Sequence, residues 1–85
     1  MLSAYPNPFS ESTTIKFRLG KDEKVSIIVF SLSGEIIENL FDERVEKGRE
    51  YRVQFDADRN ADGMYFYRLI TESGEVHIRK LILTK

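Results

Sequence analysis

The sequence has no cysteine, no tryptophan and a single histidine among its 85 residues. Without cysteine the chain has no disulfide framework, no thiol nucleophile and no thiolate metal site. Its net charge is −1, with acidic and basic residues interleaved. No basic stripe is therefore available for nucleic acid or for an anionic membrane surface. No apolar run reaches the ~20 residues that a membrane-spanning helix requires.

The residues that are present favour a small β domain. Hydrophobic residues make up 41% of the chain and charged residues 32%, which is an ordinary globular balance. Six phenylalanines and four tyrosines, with many valines and isoleucines, favour strands over helices. At this length we expect one domain with one core.

Alternation of apolar and polar residues predicts about seven short strands separated by turns. Ile15, Phe17 and Leu19 share one face of the first clear strand, and Val25–Phe30 is apolar on both faces, which indicates a central strand. Further strands are expected at residues 51–55, 64–71 and 75–84, the last two forming a hairpin around Ser73-Gly74. The mixed pattern of residues 35–41 fits a helix or a bulged strand, and we favour a short strand. The chain is predicted to be an all-β, immunoglobulin-like antiparallel sandwich.

The N-terminal motif Tyr5-Pro6-Asn7-Pro8-Phe9 cannot be helical, because each proline fixes φ and biases the residue before it to extended geometry. We predict an extended N-terminal segment over residues 1–12, followed by the sandwich over residues 13–85. Tyr5 and Phe9 are expected to pin this segment to the core.

The loop Asp58–Gly63 matches the first half of an EF-hand calcium loop, D-x-[DN]-x-[DN]-G. The twelfth position, however, is Leu69 where a bidentate glutamate is required, and the glycine leads into a strand. We interpret residues 56–62 as an inter-strand loop whose aspartates bond to nearby backbone, and we predict no metal or cofactor.

No arrangement of residues indicates catalysis. His77 stands between Val76 and Ile78 without a positioned serine and carboxylate, so an exposed strand position is expected. Tyr65, two residues after Gly63, resembles the tyrosine corner of immunoglobulin-like sandwiches. The aromatic side chains could form a sugar-stacking face, but in so small a sandwich most must fill the core. We predict neither an enzyme nor a small-molecule substrate.

An ordered set of motifs covers nearly the whole chain: Tyr5–Phe9, Thr14–Phe17, Val29–Gly34, Asp62–Leu69 and Lys80–Lys85. In this order and spacing they resemble type A C-terminal sorting domains of the type IX secretion system. The resemblance implies an immunoglobulin-like sandwich that carries an N-terminal cargo protein of a Gram-negative bacterium from the periplasm to the cell surface or the extracellular space. It implies two partners, the outer-membrane translocon and a sortase-like peptidase that cuts upstream of the domain.

Carried over by position, the resemblance assigns the recognition residues Gly63, Tyr65, Lys80, Leu81, Ile82, Leu83 and Lys85, and the N-terminal motif Pro6, Asn7 and Pro8. The chain departs from the family at Phe55, where many relatives have tryptophan. We expect the final strand to present an exposed edge with which a receptor could pair. The same strand also has a purely structural interpretation. In that interpretation Leu81 and Leu83 are core residues, and the lysines protect an edge strand from aggregation.

Two alternatives to a sorting domain stay open at this point. One is a non-catalytic spacer or carbohydrate-binding immunoglobulin-like module of a secreted hydrolase. The other is a structural module like the immunoglobulin-like domain of flagellar hook-capping proteins, which also has a Gly-x-Tyr strand. A sorting domain is expected at the end of its parent protein, whereas a spacer is not so constrained.

Overall fold

A computed structural model describes all 85 residues, Met1–Lys85. It is built entirely from strands and turns. In chain order the strands are β1 (Leu2–Tyr5), β2 (Ser12–Arg18), β3 (Glu23–Ser31), β4 (Ile36–Val45), β5 (Glu50–Asp56), β6 (Gly63–Thr71) and β7 (Val76–Leu83). No helix is present that could cross a membrane.

The strands form two antiparallel sheets that pack face to face. The three-stranded sheet has the order β1-β2-β5, and the four-stranded sheet has the order β4-β3-β6-β7. The prediction of an all-β sandwich of seven strands is confirmed, as is the central position of β3. The closing hairpin of β6 and β7 is also confirmed.

The core lies between the sheets and follows the predicted alternation. Alternate side chains of β2, β3, β6 and β7 point inward. The fully buried ones form the centre of the core and include Ile15, Phe17, Ile27, Leu69 and Leu81. Phe55 of β5 is also fully buried. One contiguous cluster of 14 buried residues holds the two sheets together.

β4 is a strand, as favoured from the sequence, but it continues through the polar residues to Val45. Two register shifts against β3 explain the mixed pattern of apolar and polar residues in β4. Leu40 and Ile37 are the extra residues at these shifts, and a bulge reverses which face the following side chains occupy. Ile37, Leu40 and Phe41 therefore all pack against the core.

β1 was not predicted as a strand. Leu2–Tyr5 pairs along β2 as the edge of the three-stranded sheet, with Leu2 and Ala4 packed against the core. The segment is extended as expected, but it already contributes to the sandwich. The chain then crosses at Pro6–Pro8 to the other sheet, where Phe9 forms a parallel bridge with Leu83. Strands that switch sheets in this way close the corner of a sandwich.

Candidate functional site: the last strand and the segment that braces it

β7 is an edge strand of the four-stranded sheet and pairs with β6 on one side. Leu81 and Leu83 are 0% exposed, so these two predicted recognition residues belong to the core. Ile82 is half-buried, and Lys80 and Lys85 are exposed. Because side chains alternate along a strand, Lys80 and Ile82 face away from the core, opposite to Leu81 and Leu83. Part of the resemblance-derived recognition set is therefore structural.

The outer edge of β7 is occupied at its C-terminal half by residues Pro6–Phe9, which we call the brace. The Asn7 side chain accepts the Ile82 N–H at Oδ1, 3.0 Å away, and donates from Nδ2 to the Lys80 carbonyl oxygen at 2.9 Å. An amide side chain carries one acceptor and two donors, so it can replace the backbone of a neighbouring strand.

Phe9 completes the brace with its backbone and its ring. Its N–H donates to the Ile82 carbonyl at 2.9 Å, and its carbonyl accepts the Thr84 N–H at 2.9 Å. The ring is buried and meets Phe55 edge to face, with centroids 6.0 Å apart. Phe9 therefore pins the segment as predicted. Tyr5 does not, because it is 81% exposed.

The expectation that the final strand presents an exposed edge is wrong for residues 80–84. The polar backbone groups of Ile82, the Lys80 carbonyl and the Thr84 N–H all have partners in the brace. A receptor would have to displace the brace to pair with this half of the strand. The earlier residues Val76–Arg79 lie outside the brace.

Gly63 and Tyr65 hold the start of β6. Gly63 has φ +147°, a conformation that disfavours L side chains, and nothing lies within 4 Å of the position a Cβ would take. Glycine is thus required here by backbone geometry and not by packing. The Tyr65 hydroxyl donates to the Ala61 carbonyl at 2.5 Å while its ring is buried. The predicted tyrosine corner is confirmed.

Lys85 is attached to the acidic loop. Its backbone N–H donates to Asp62 Oδ2 at 3.2 Å, and its Nζ donates to the Asp58 carbonyl at 3.1 Å. No group of three or more histidine, cysteine, aspartate or glutamate side chains is arranged to hold a metal ion. Two of the loop's polar groups are instead bound by the last residue of the chain.

The remaining candidates do not form a site. His77 lies on the surface with its Nε2 3.7 Å from a Glu75 oxygen. The five aromatic side chains considered for sugar stacking are distributed over different places in the sandwich. Tyr65 and Tyr67 are in the core, Tyr51 stacks on Phe17, Phe66 stacks on Phe30 on the outer side of the four-stranded sheet, and Tyr5 is on the surface. They share no platform.

The burial of Glu23 and the placement of Arg68 among apolar residues are not predicted by the sequence pattern. Glu23 is 3% exposed, and its Oε1 accepts the Ser73 N–H at 3.0 Å. Burial would raise the pKa of this carboxyl, but the hydrogen bonds from Ser73 and Thr71 and the charge of Lys21 together outweigh it and lower the pKa. Arg68 lies among half-buried apolar residues on the outer face of β6. A lone cation inside the apolar run Met64–Ile70 was the available sequence signal for Arg68.

Comparison with known proteins agrees with this architecture. A family model described as "Secretion system C-terminal sorting domain" matches residues 3–84. The crystal structure of dimeric latent PorU from Porphyromonas gingivalis contains a similar fold, with a TM-score of 0.73 and 21% sequence identity over 98% of this chain. The chain spans 9% of the length of that protein, and at this identity the likeness concerns the fold. No curated protein sequence matched the chain.

Proposed function

The chain belongs to the family of secretion system C-terminal sorting domains, and on that premise we propose how its last strand acts as the signal. Domains of this family are sorting signals of type IX secretion, interact with that machinery and are exported with their cargo across the outer membrane. We propose that the signal is the folded end of the domain, which Lys80, Ile82 and Lys85 present to the machinery.

The geometry of β7 supports this proposal, because some of its residues anchor the strand and others face outward. Leu81 and Leu83 anchor the strand in the core, and the brace fixes its edge, so the segment is held in one conformation before any receptor arrives. A preorganised segment loses less conformational entropy on binding than a flexible tail does. The outward side chains combine one half-buried isoleucine with two exposed lysines.

Gly63, Tyr65 and the motif Pro6-Asn7-Pro8 have a supporting role in this proposal. Gly63 pairs with Leu83, and the Tyr65 ring lies opposite Leu81 across the hairpin. Asn7 bonds directly to Lys80 and Ile82. These residues position the signal and do not themselves have to contact the machinery.

We assign the individual partners, namely the cargo, the translocon and the peptidase, by resemblance to the family. The cargo would precede residue 1, cross the periplasm with the domain attached, and pass through the outer-membrane translocon. A sortase-like peptidase would then cut between cargo and domain. The domain has no catalytic role in this scheme, in line with a family that is not itself catalytic.

The test is a reporter protein carrying residues 1–85 at its C-terminus in a host with type IX secretion. Deleting Lys80–Lys85 is a poor test, because it removes two fully buried leucines and would unfold the domain. The sharper variant is the triple substitution Lys80→Glu, Ile82→Ser and Lys85→Glu, with Lys21→Glu and Lys47→Glu, both in exposed turns, as the matched control.

We expect the triple variant to leave the reporter in the periplasm and the control variant to be exported like the parent. Thermal unfolding of both purified domains checks that each is folded. Export of the folded triple variant at the parent level would refute recognition through these side chains. Retention of the parent reporter in the periplasm would refute the sorting function itself.

A further inference from the structure

The outer face of the four-stranded sheet is unusually apolar for a solvent-facing surface. Val76 and Ile78 on β7 are 53% and 50% exposed. Beside them on β6 lie the half-buried Ile70 and Arg68, and Ile28 on β3 lies beside Arg68. The side chains that define this outer face are Ile28, Phe30, Phe66, Ile70, Val76 and Ile78. Contiguous apolar patches of this kind mark interaction sites on soluble proteins.

Arg68 lies at the centre of the outer face. In the strand register it stands between Ile28 of β3 and Ile78 of β7. Its guanidinium carbon is 5.7 Å from the centroid of the Phe30 ring, which in turn stacks on Phe66 with centroids 5.8 Å apart. The ring and the isoleucines shield one side of the cation from water.

The charge of Arg68 has no counter-ion within the domain. Every ion pair within 4.0 Å involves other residues, and the buried Nε of Arg68 has no hydrogen-bond acceptor. Lys80, which pairs with Phe66 across the hairpin, is also without a carboxylate partner. The acidic residues Asp42 and Glu72, toward the far end of the sheet, are already paired with Lys24 and Arg44. A buried donor without an acceptor is destabilising, so an acceptor supplied from outside the domain is favoured at this position.

We propose that the outer face docks a protein segment that places a carboxylate between apolar side chains, with the carboxylate bound by Arg68. A shallow depression of about 350 Å³, lined by Ile28, Phe30, Gly34, Ile36 and Arg68, offers room for one such group. The inference rests on the proposed function, because the segment would belong to the secretion machinery. It extends the proposed signal from Lys80 and Ile82, which lie on the same face, toward the N-terminal half of β7.

Charge complementarity favours this occupant over two others. A second copy related by two-fold symmetry would bring the unpaired cations of the same face, Arg68 and Lys80, toward each other in a low-dielectric contact. An anionic bilayer would be attracted by only these two cations, which is fewer than in the basic clusters that bind such surfaces. A carboxylate within an apolar segment can form an ion pair with the guanidinium, while the rest of the segment packs against the apolar side chains around it.

The test uses the same export reporter with Arg68→Glu and, separately, Ile78→Ser. The matched controls are Lys47→Glu, an exposed lysine in the turn after β4, and Leu32→Ser, an exposed leucine outside the outer face. We expect each face variant to lower export at least tenfold, the controls to leave it within twofold, and Arg68→Lys to retain part of it. Export of Arg68→Glu at the control level, with its melting temperature unchanged, would overturn the proposal while leaving the sorting function intact.

A second readout identifies the occupant without depending on export. A photo-crosslinking residue at Val76 should give a protein adduct in the type IX host, and Arg68→Glu should abolish it. The crosslinked segment should contain a carboxylate whose replacement by lysine restores the adduct in the Arg68→Glu background. No adduct, or an adduct insensitive to Arg68, overturns the proposal. So would Arg68-dependent binding to phosphatidylglycerol vesicles or Arg68-dependent dimerisation in sedimentation equilibrium.

Discussion

The side-chain amide of Asn7 occupies the place of a strand residue beside Ile82. Its oxygen and nitrogen make hydrogen bonds of 3.0 and 2.9 Å to β7, and it lies 75 residues from Ile82 in sequence. The two ends of the chain are thereby joined at one edge of the sandwich. Unpaired edges invite association with other chains, and this contact covers the half of β7 that carries the proposed signal.

Asn7→Ala should destabilise the domain by about 1–2 kcal/mol, since it removes two hydrogen bonds and leaves β7 backbone groups without their partners. The effect should be local first, so the Ile82 amide should lose hydrogen-exchange protection while the Leu81 amide keeps it. Asn39→Ala, an exposed position on β4, is the control and should be neutral. Equal protection of Ile82 in both variants would contradict the assigned role of Asn7.

Tyr65→Phe and Tyr67→Phe separate hydrogen bonding from packing. Both rings are buried in β6, but only the Tyr65 hydroxyl donates to a backbone carbonyl, that of Ala61. We expect a loss of about 1 kcal/mol in unfolding free energy for Tyr65→Phe and a near-neutral effect for Tyr67→Phe. Denaturant unfolding measures both variants. A larger loss for Tyr67→Phe would contradict the tyrosine corner.

The strands that could be predicted are those in which one face is buried. Ile15 and Phe17 in β2, and the hairpin around Ser73-Gly74, follow from a period of two and from turn chemistry, which are local in sequence. The brace could not be predicted in this way. Its bonds join residues more than 70 positions apart, and no periodicity encodes which edge a proline-bounded segment will meet.

The site was predicted only in part for a related reason. Resemblance places Lys80 through Lys85 in one motif, but it does not distinguish Leu81 and Leu83, which fill the core, from Lys80 and Ile82, which face outward. That distinction depends on the register of β7 against β6. Arg68 was overlooked because a charge within a strand is ordinarily solvated, and only the surrounding isoleucines and Phe30 make it unusual.

Gly63→Ala tests whether the start of β6 needs glycine for its backbone conformation. The residue has φ +147° and an added methyl group would meet no atom within 4 Å, so any cost is conformational. We expect a destabilisation of about 1–3 kcal/mol, the range for a side chain held in a sparsely populated φ region. Gly20→Ala, in a turn with equally open surroundings and without a positive φ, is the control and should have little effect. Thermal unfolding compares the two, and equal melting temperatures would remove the conformational requirement.

Glu23→Gln should make stability less dependent on pH below neutrality. In the folded domain Glu23 accepts the Ser73 N–H. Its pKa lies below the ordinary value of 4.5 because hydrogen bonds and the charge of Lys21 together outweigh the opposing effect of burial. A carboxyl with a lowered folded-state pKa stabilises the fold above its unfolded-state pKa, and this contribution is lost as the pH falls through the folded-state pKa. The parent should therefore melt at a higher temperature than Glu23→Gln at pH 7, and the difference should shrink as the pH falls below about 4.5. Glu38→Gln, an exposed residue of β4 without an ion pair, should follow the parent across the same range. A difference between parent and Glu23→Gln that stays constant from pH 7 to pH 3 would show that the charge of Glu23 contributes nothing to the fold.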